Sequence, residues 1–170
     1  MIANPKKNIN IKVETLSILS NIDLADLCNI TEQAIKAGGG FGWLDVPPRD
    51  ILKKYWKGSV LVPHRKLIVG RLNSVIAGSL QLVFSPANNE AQHKITSIAS
   101  HFVAPWARGF GLAKAMIDIA EKIALEFGAN CIQLDIRETQ EAAIKLFKSK
   151  GYLKWGINPF YAFVDGRNLR

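Results

Sequence analysis

The sequence predicts a mixed α/β fold, a mainly antiparallel sheet that carries one parallel βαβ unit. Three observations predict it. Segments of β pattern are interleaved with amphipathic stretches in the order β-α-α-β-β-β-α-β-α-β-β. Two of the β segments, 66–72 and 75–84, are separated only by Asn73–Ser74, a hairpin link. Strand 95–103, helix 112–127 and strand 131–136 follow one another as a βαβ unit, which calls for parallel strands and a right-handed crossover.

Taken in order, "INIKV" alternates apolar and polar residues and predicts a strand over 9–16. Leu24, Leu27, Cys28 and Ile35 recur at helical spacing over 23–36, behind the candidate caps Asn21 and Asp23. "AGGGFG" (37–42) breaks that helix. It reads as a flexible connection with no phosphate-binding role, because no GK[ST] follows. "DVPP" leads into a short helix over 48–57, since proline is tolerated in a first helical turn. After the hairpin, "SPANNEAQH" (85–93) is a polar loop, and Pro105 closes strand 95–103. Leu112, Met116, Ile119, Ala120, Ile123 and Phe127 share one face of helix 112–127, and Gly128 stops it. A helix over 139–150 turns Ala143, Leu146 and Phe147 inward. "YLKWG" (152–156) and "FYAFV" (160–164) predict two last strands joined at Ile157–Pro159.

The chain has 170 residues, which suits one domain over 1–170, and 48% of them are hydrophobic, enough for a core. That excludes the disordered class. No apolar run follows Lys6 and Lys7, so no signal peptide is expected. The apolar stretches 75–84 and 112–127 are too short or too interrupted by charge to span a bilayer. The expectation is a soluble, cytoplasmic protein with no membrane partner. Cys28 and Cys131 lack CxxC spacing and a cluster of His, so both are expected to be reduced thiols serving as small hydrophobes, with no metal site. The net charge is +8, partly from "KKYWK" (53–57), "HRK" (64–66) and Lys145, Lys148, Lys150 and Lys154. Such a field attracts small polyanions. No basic run is long enough for a nucleic-acid arm, so nucleic acid is an unlikely partner.

"VAPWARGFGLAKAM" (103–116) places Arg108, Gly109 and Gly111 between a strand and a helix. A helix N-terminus has unpaired amides and partial positive charge. Glycines there let phosphate oxygens approach the backbone, and Arg108 adds a cation, which suits a pyrophosphate. "GFGLAK" also approaches a dinucleotide fingerprint, with Asp135 near the end of the next strand. Against that reading, Lys114 replaces the third glycine and only one βαβ unit is present.

The same stretch resembles motif A of the GNAT-type N-acetyltransferases, Q/R-x-x-G-x-G/A, with Arg108, Gly111 and Ala113 filling the signature. "RETQEAAIKLFKSKGY" (137–152) resembles the family's motif B, and the element order agrees through residue 164. The resemblance implies acetyl-CoA as donor and a central strand pair that splays apart to admit it. Arg108, Gly109, Phe110, Gly111, Leu112 and Ala113 would cradle its pyrophosphate. Phe102 and Val103 would pair with the pantetheine arm, and a backbone N–H near Val103 would hold the oxyanion. Gln140 stands where the family usually has Asn, as a contact to the pantetheine region. Phe147 stands where the family often has a proton-donating Tyr, so it packs on the cofactor but supplies no proton.

Acetyl transfer requires a neutral amine, hence a base. His101 lies on the strand that would line the thioester gap, with a reference pKa in the useful range. His93 and Glu90, on the preceding loop, could act through water, and His64 reads as a surface residue. The acceptor site is expected from residues 18–60 and the turn at 157–161, with Tyr161 a second candidate for proton transfer. Trp155 and Phe160 read as an aromatic packing cluster. The expected acceptor is a primary amine of a small molecule or peptide, on a monomer or homodimer. A coenzyme A-binding sensor without turnover is the alternative.

Overall fold

Turn chemistry sets the sheet. Asn73 and Ser74 both adopt positive φ, 48° and 75°, the twist that matches two antiparallel strands. They join β2 (Arg65–Leu72) to β3 (Val75–Phe84). The structure, a computed structural model, describes residues 9–39 and 42–170. Lys6 and Lys7, and Gly40 and Phe41 of the glycine run, lie outside the described residues. β1 (Ile11–Leu16) pairs antiparallel with β2, and β4 (Ile95–Val103) pairs antiparallel with β3. β5 (Cys131–Gln133) is parallel to β4, giving a five-stranded sheet in the order β1-β2-β3-β4-β5. The mixed sheet with one βαβ unit is therefore observed, and a doubly wound dinucleotide fold is excluded.

Helices cover both faces. α1 (Asn21–Lys36) starts at Ser20, whose hydroxyl accepts from the Asp23 amide while the Asp23 carboxylate accepts from Ser20. The cap is Ser20 and not Asn21, and Asp23 completes a reciprocal capping box. α2 (Arg49–Ser59) buries Trp56, whose indole N–H donates to Thr31 at 3.0 Å. α3 (Leu112–Glu126) packs on the opposite face. α4 (Glu141–Ser149) is tied to it where Lys150 meets Asp118 and Glu121.

Two glycines fix how closely α3 approaches the sheet. A Cβ on Gly70 of β2 would lie 2.7 Å from Leu112 Cδ1, and one on Gly78 of β3 would lie 2.8 Å from Met116 Cε and 2.9 Å from the Phe102 carbonyl. The first turn of α3 therefore rests on bare backbone.

The end of the chain departs from expectation. Residues 152–156 join no strand. Among the described residues β6 (Ala162–Val164) pairs only with β7 (Arg167–Leu169), around Asp165 and Gly166, both at positive φ. The "DG" pair, a strong turn signal, decides the hairpin in place of the turn at 157–159. Arg170 bonds Glu138 through backbone and side chain, which holds the hairpin against the segment before α4. No helix among the described residues is long and apolar enough to cross a membrane.

Gly70→Ala is expected to lose on the order of 1–3 kcal/mol in urea unfolding, since Leu112 is buried and must shift. Gly58→Ala, in α2 with open space around the added Cβ, is expected to gain up to about 1 kcal/mol.

Candidate active site

The site begins where two strands part. β4 and β5 pair only at Ile95–Cys131, Thr96–Ile132 and Ser97–Gln133. The strand expected over 131–136 thus ends at Gln133. The cause lies in β4, where the register against β3 slips so that Ser79 faces Phe102 and Gln81 faces Ala99. One residue too many stands on β4, Ser100 takes φ 48°, and such a bulge bends its strand. The splay implied by the family resemblance is present. A cavity of about 510 Å³ fills it, with Ile98–His101 on one side, Leu134–Arg137 on the other, and Gln140, Phe147, Trp43, Tyr55 and Tyr161 around them.

The bulge shifts the alternation of side chains along the rest of β4. His101 meets the Phe147 ring edge-on at 5.6 Å, towards α4. Its Nε2 is sealed from solvent and has no hydrogen-bond partner. Desolvation pushes its pKa down to about 4, and the nearby Ala113 backbone opposes the shift. Ala113 lies in the first turn of α3, so the ring stands beside the helix start.

Ser100 turns the other way. Its hydroxyl is 2.8 Å from Tyr55 on α2, Gln81 Nε2 donates to the Tyr55 oxygen at 3.0 Å, and Arg65 donates to Gln81 Oε1 at 2.6 Å. Arginine only donates, so it fixes the orientation of the Gln81 amide. Two hydroxyl hydrogens remain on Tyr55 and Ser100, and one serves their mutual bond. Their geometry leaves the other to point onward. Ser79, buried like Gln81, donates to the Ser100 carbonyl at 3.2 Å and braces the bulge. The sequence reading missed this chain. Its signal was Ser79 and Gln81 inside the otherwise apolar "VIAGSLQLVF".

The start of α3 is built as the glycines suggested. Gly109 and Gly111 have φ of 85° and 80°, and Gly111 occupies the N-cap with no side-chain cap. No acidic residue stands in the first turn, and a Cβ at either glycine would meet open space. The first amides of α3 thus lack the usual side-chain acceptor. Arg108 and Phe110 are exposed beside them, whereas the Leu112 side chain is buried in the core and leaves only its backbone for a ligand.

The remaining candidates divide. Gln140 lines the cavity, yet its amide donates to the Gly38 carbonyl at 2.7 Å, and Arg137 donates to Gly39 O at 2.8 Å. The described glycines 38 and 39 are thereby pinned across the cavity and do not form a free connection. Phe102 packs its ring 6.4 Å from Trp56, on the α2 side. Val103 lies against Gly78, on the α3 side. Tyr161 lines the cavity, and burial, then the Asp135 carboxylate, holds its pKa above the ordinary phenol value. His93 and Glu90 lie in an exposed turn away from the cavity lining, as does the exposed His64. Trp155 and Phe160 are exposed. Cys28 is buried as expected, but Cys131 is exposed.

Residues 27–152 match the Acetyltransferase (GNAT) family. The chain is 49% identical over 131 residues, 77% of its length and 78% of the relative's, to an N-acetyltransferase of the hisH-hisA intergenic region of Azospirillum brasilense. The fold is shared with an N-acetyltransferase from Staphylococcus aureus Mu50 (TM-score 0.77, 19% identity, 94% and 93% of the two chains). It is shared also with yncA from Salmonella typhimurium, solved with its cofactor acetyl-CoA (TM-score 0.74, 17% identity, 94% and 88%). The class is thus acetyl-CoA-dependent acyl transfer. The chain belongs to the GNAT family of N-acetyltransferases, and its reaction moves an acetyl group from acetyl-CoA to an amine.

A histidine held neutral by burial stabilises the fold above its unfolded pKa of about 6.5, and that contribution fades as pH falls towards the folded value of about 4. Stability is therefore expected to drop by up to about 3 kcal/mol across that window. His101→Gln is expected to flatten this part of the profile in urea unfolding at a series of pH values.

Proposed function

We propose that the chain acetylates a primary amine of a small molecule or peptide within the cavity between β4 and β5. The observation that carries the reading is the continuity of that cavity. On one side it meets His101, Phe147 and, through His101, the first turn of α3. On the other it meets Trp43, Tyr55, Asp135 and Tyr161. Its volume suits a compact ligand.

Acetyl-CoA supplies the activated acetyl group. The backbone of Gly109–Ala113 and the Arg108 guanidinium bind its pyrophosphate, where left-handed glycines expose the amides. Phe110 lies beside them. Beyond Ser97, β4 has no strand on its β5 side among the described residues, and this edge of β4 runs along the pantetheine arm, with Phe102 and Val103 at its far end. Gln140 and Phe147 border the same arm. Asp135 attracts the incoming ammonium, and the faces of Trp43 and Tyr55 suit a cation. His101 is the base that takes up the amine proton, directly or through water. Tyr161, protonated at neutral pH, donates to the leaving thiolate, the role that Phe147 cannot fill. The Tyr55–Ser100 pair orients the acceptor through its one outward hydroxyl hydrogen. The site is carried by one domain, and the two free cysteines suit a reducing cytoplasm.

Thiol release from acetyl-CoA over a panel of primary amines tests the reading, with amine-dependent turnover expected. A chain that coenzyme A stabilises but that turns over no amine would be a sensor, and the reading would fail. His101→Ala is expected to lower kcat by about a hundredfold or more with acetyl-CoA affinity unchanged. A kcat equal to wild type would remove His101 as the base.

Gly111→Val is expected to abolish the rise in Tm that coenzyme A gives, because a branched side chain at φ 80° crowds the amides and strains the backbone. An unchanged ligand-induced shift would place the pyrophosphate elsewhere.

A further inference from the structure

Gln81 is fully buried in β3, between Leu80 and Leu82, where an amide costs free energy unless its hydrogen bonds are met. Each end of that amide has a partner. Arg65 donates to its Oε1 at 2.6 Å, and its Nε2 donates to the Tyr55 hydroxyl at 3.0 Å. A guanidinium has no lone pair to offer, so turning the amide over would set two donors against each other. The Tyr55 ring meets Trp43 and Trp56 edge-on, at centroid distances of 5.1 and 5.0 Å, which holds the phenol in place. Arg65 pairs with no carboxylate among the described residues, so its charge polarises the chain outward.

We propose that Arg65 and Gln81 are positioning residues that turn the Tyr55–Ser100 pair into a hydrogen-bond donor towards the cavity, and thereby select amine acceptors with a carbonyl or carboxylate oxygen near the amine. The proposal rests on the reading that the acceptor amine enters this cavity. Counting hydrogens gives the direction. Tyr55 and Ser100, 2.8 Å apart, hold two hydroxyl hydrogens between them, and Gln81 takes neither because it donates. One hydrogen serves the mutual bond. The second has no acceptor among the described residues, and both side chains line the cavity. It therefore calls for a lone pair from the ligand, and an alkyl group in that place would leave a donor unpaired. An anionic oxygen gains further from the Arg65 charge behind the chain. Asp135, on the β5 wall, suits the ammonium, so the two ends of such a molecule are told apart. A brace that merely held α2 to the sheet would be indifferent to direction. Gln81→Glu keeps the bonds yet reverses them. The new carboxylate accepts from Tyr55, Ser100 then donates to Tyr55, and no hydrogen is left for the cavity.

Acetyl transfer to matched amines tests this. Glycine and glycinamide, which carry the carboxylate and the carbonyl, are each compared with isobutylamine, their hydrocarbon counterpart. β-Alanine, β-alaninamide and isopentylamine extend the series by one carbon. Where the amine panel yields a better acceptor, the same comparison is made with its oxygen-free analogue. The wild type is expected to favour the oxygen-bearing amine in kcat/KM, and acid against amide separates the anion from the neutral carbonyl. In Gln81→Glu that preference is expected to fall about tenfold or more. The basicity of each amine and the fraction of folded enzyme cancel when the two ratios are compared. Arg65→Lys, which keeps a donor on Oε1, is expected to retain the preference, whereas Arg65→Met, which frees the amide to turn, is expected to lose it with Gln81 intact. An unchanged preference in Gln81→Glu overturns the proposal, and where that variant does not fold, an unchanged preference in Arg65→Met does so. A wild type that favours the oxygen-free amines overturns it too. Each of these results leaves acetylation in the cavity standing, whereas a wild type that turns over no amine at all would sink both readings.

Discussion

The molecule depends on the point where β4 and β5 stop pairing. Three residue pairs hold the parallel strands together, and beyond Ser97 and Gln133 the ladder ends. Beyond that point β4 faces the cavity in place of a neighbouring strand. The bulge at Ser100 produces the parting, and it is braced from behind by Ser79 and by the Tyr55 hydroxyl. The same bulge reverses the alternation of side chains. That reversal gives His101 to the α3 and α4 face and Ser100 to the α2 face.

The second constraint is the seating of α3. Leu112 and Met116 occupy space that a side chain at Gly70 or Gly78 would take. This close packing fixes the height of the first helical turn over the sheet. The His101 ring stands beside the Ala113 backbone, so the helix start adjoins the cavity. The glycine-rich start of α3 and the cavity are thus packed side by side.

Burial gives His101 a character that its residue type alone does not. Its unpartnered Nε2 is shielded, so the ring stays neutral well below the ordinary histidine range. Tyr161 is shifted the opposite way by burial and by Asp135 and keeps its proton, so burial holds both groups of one cavity in their neutral forms.

Periodicity and local turn chemistry determined most of the fold from the sequence alone. The Asn73–Ser74 hairpin, the helical faces of 112–126 and the βαβ unit are legible because each rests on residues close together in the chain. The glycine-rich start of α3 was legible for the same reason, and the motif spacing gave the family. Tertiary structure decided what depends on residues far apart. Strand 131–136 is cut short because its neighbour bulges, a fact of register between β3 and β4. The chain Arg65–Gln81–Tyr55–Ser100 joins four elements whose residues show no common pattern in sequence. Gln140 and Arg137 pin glycines about a hundred positions earlier. Segment 152–156 has strand composition yet no strand, since a β pattern states a preference and only a neighbouring edge can satisfy it.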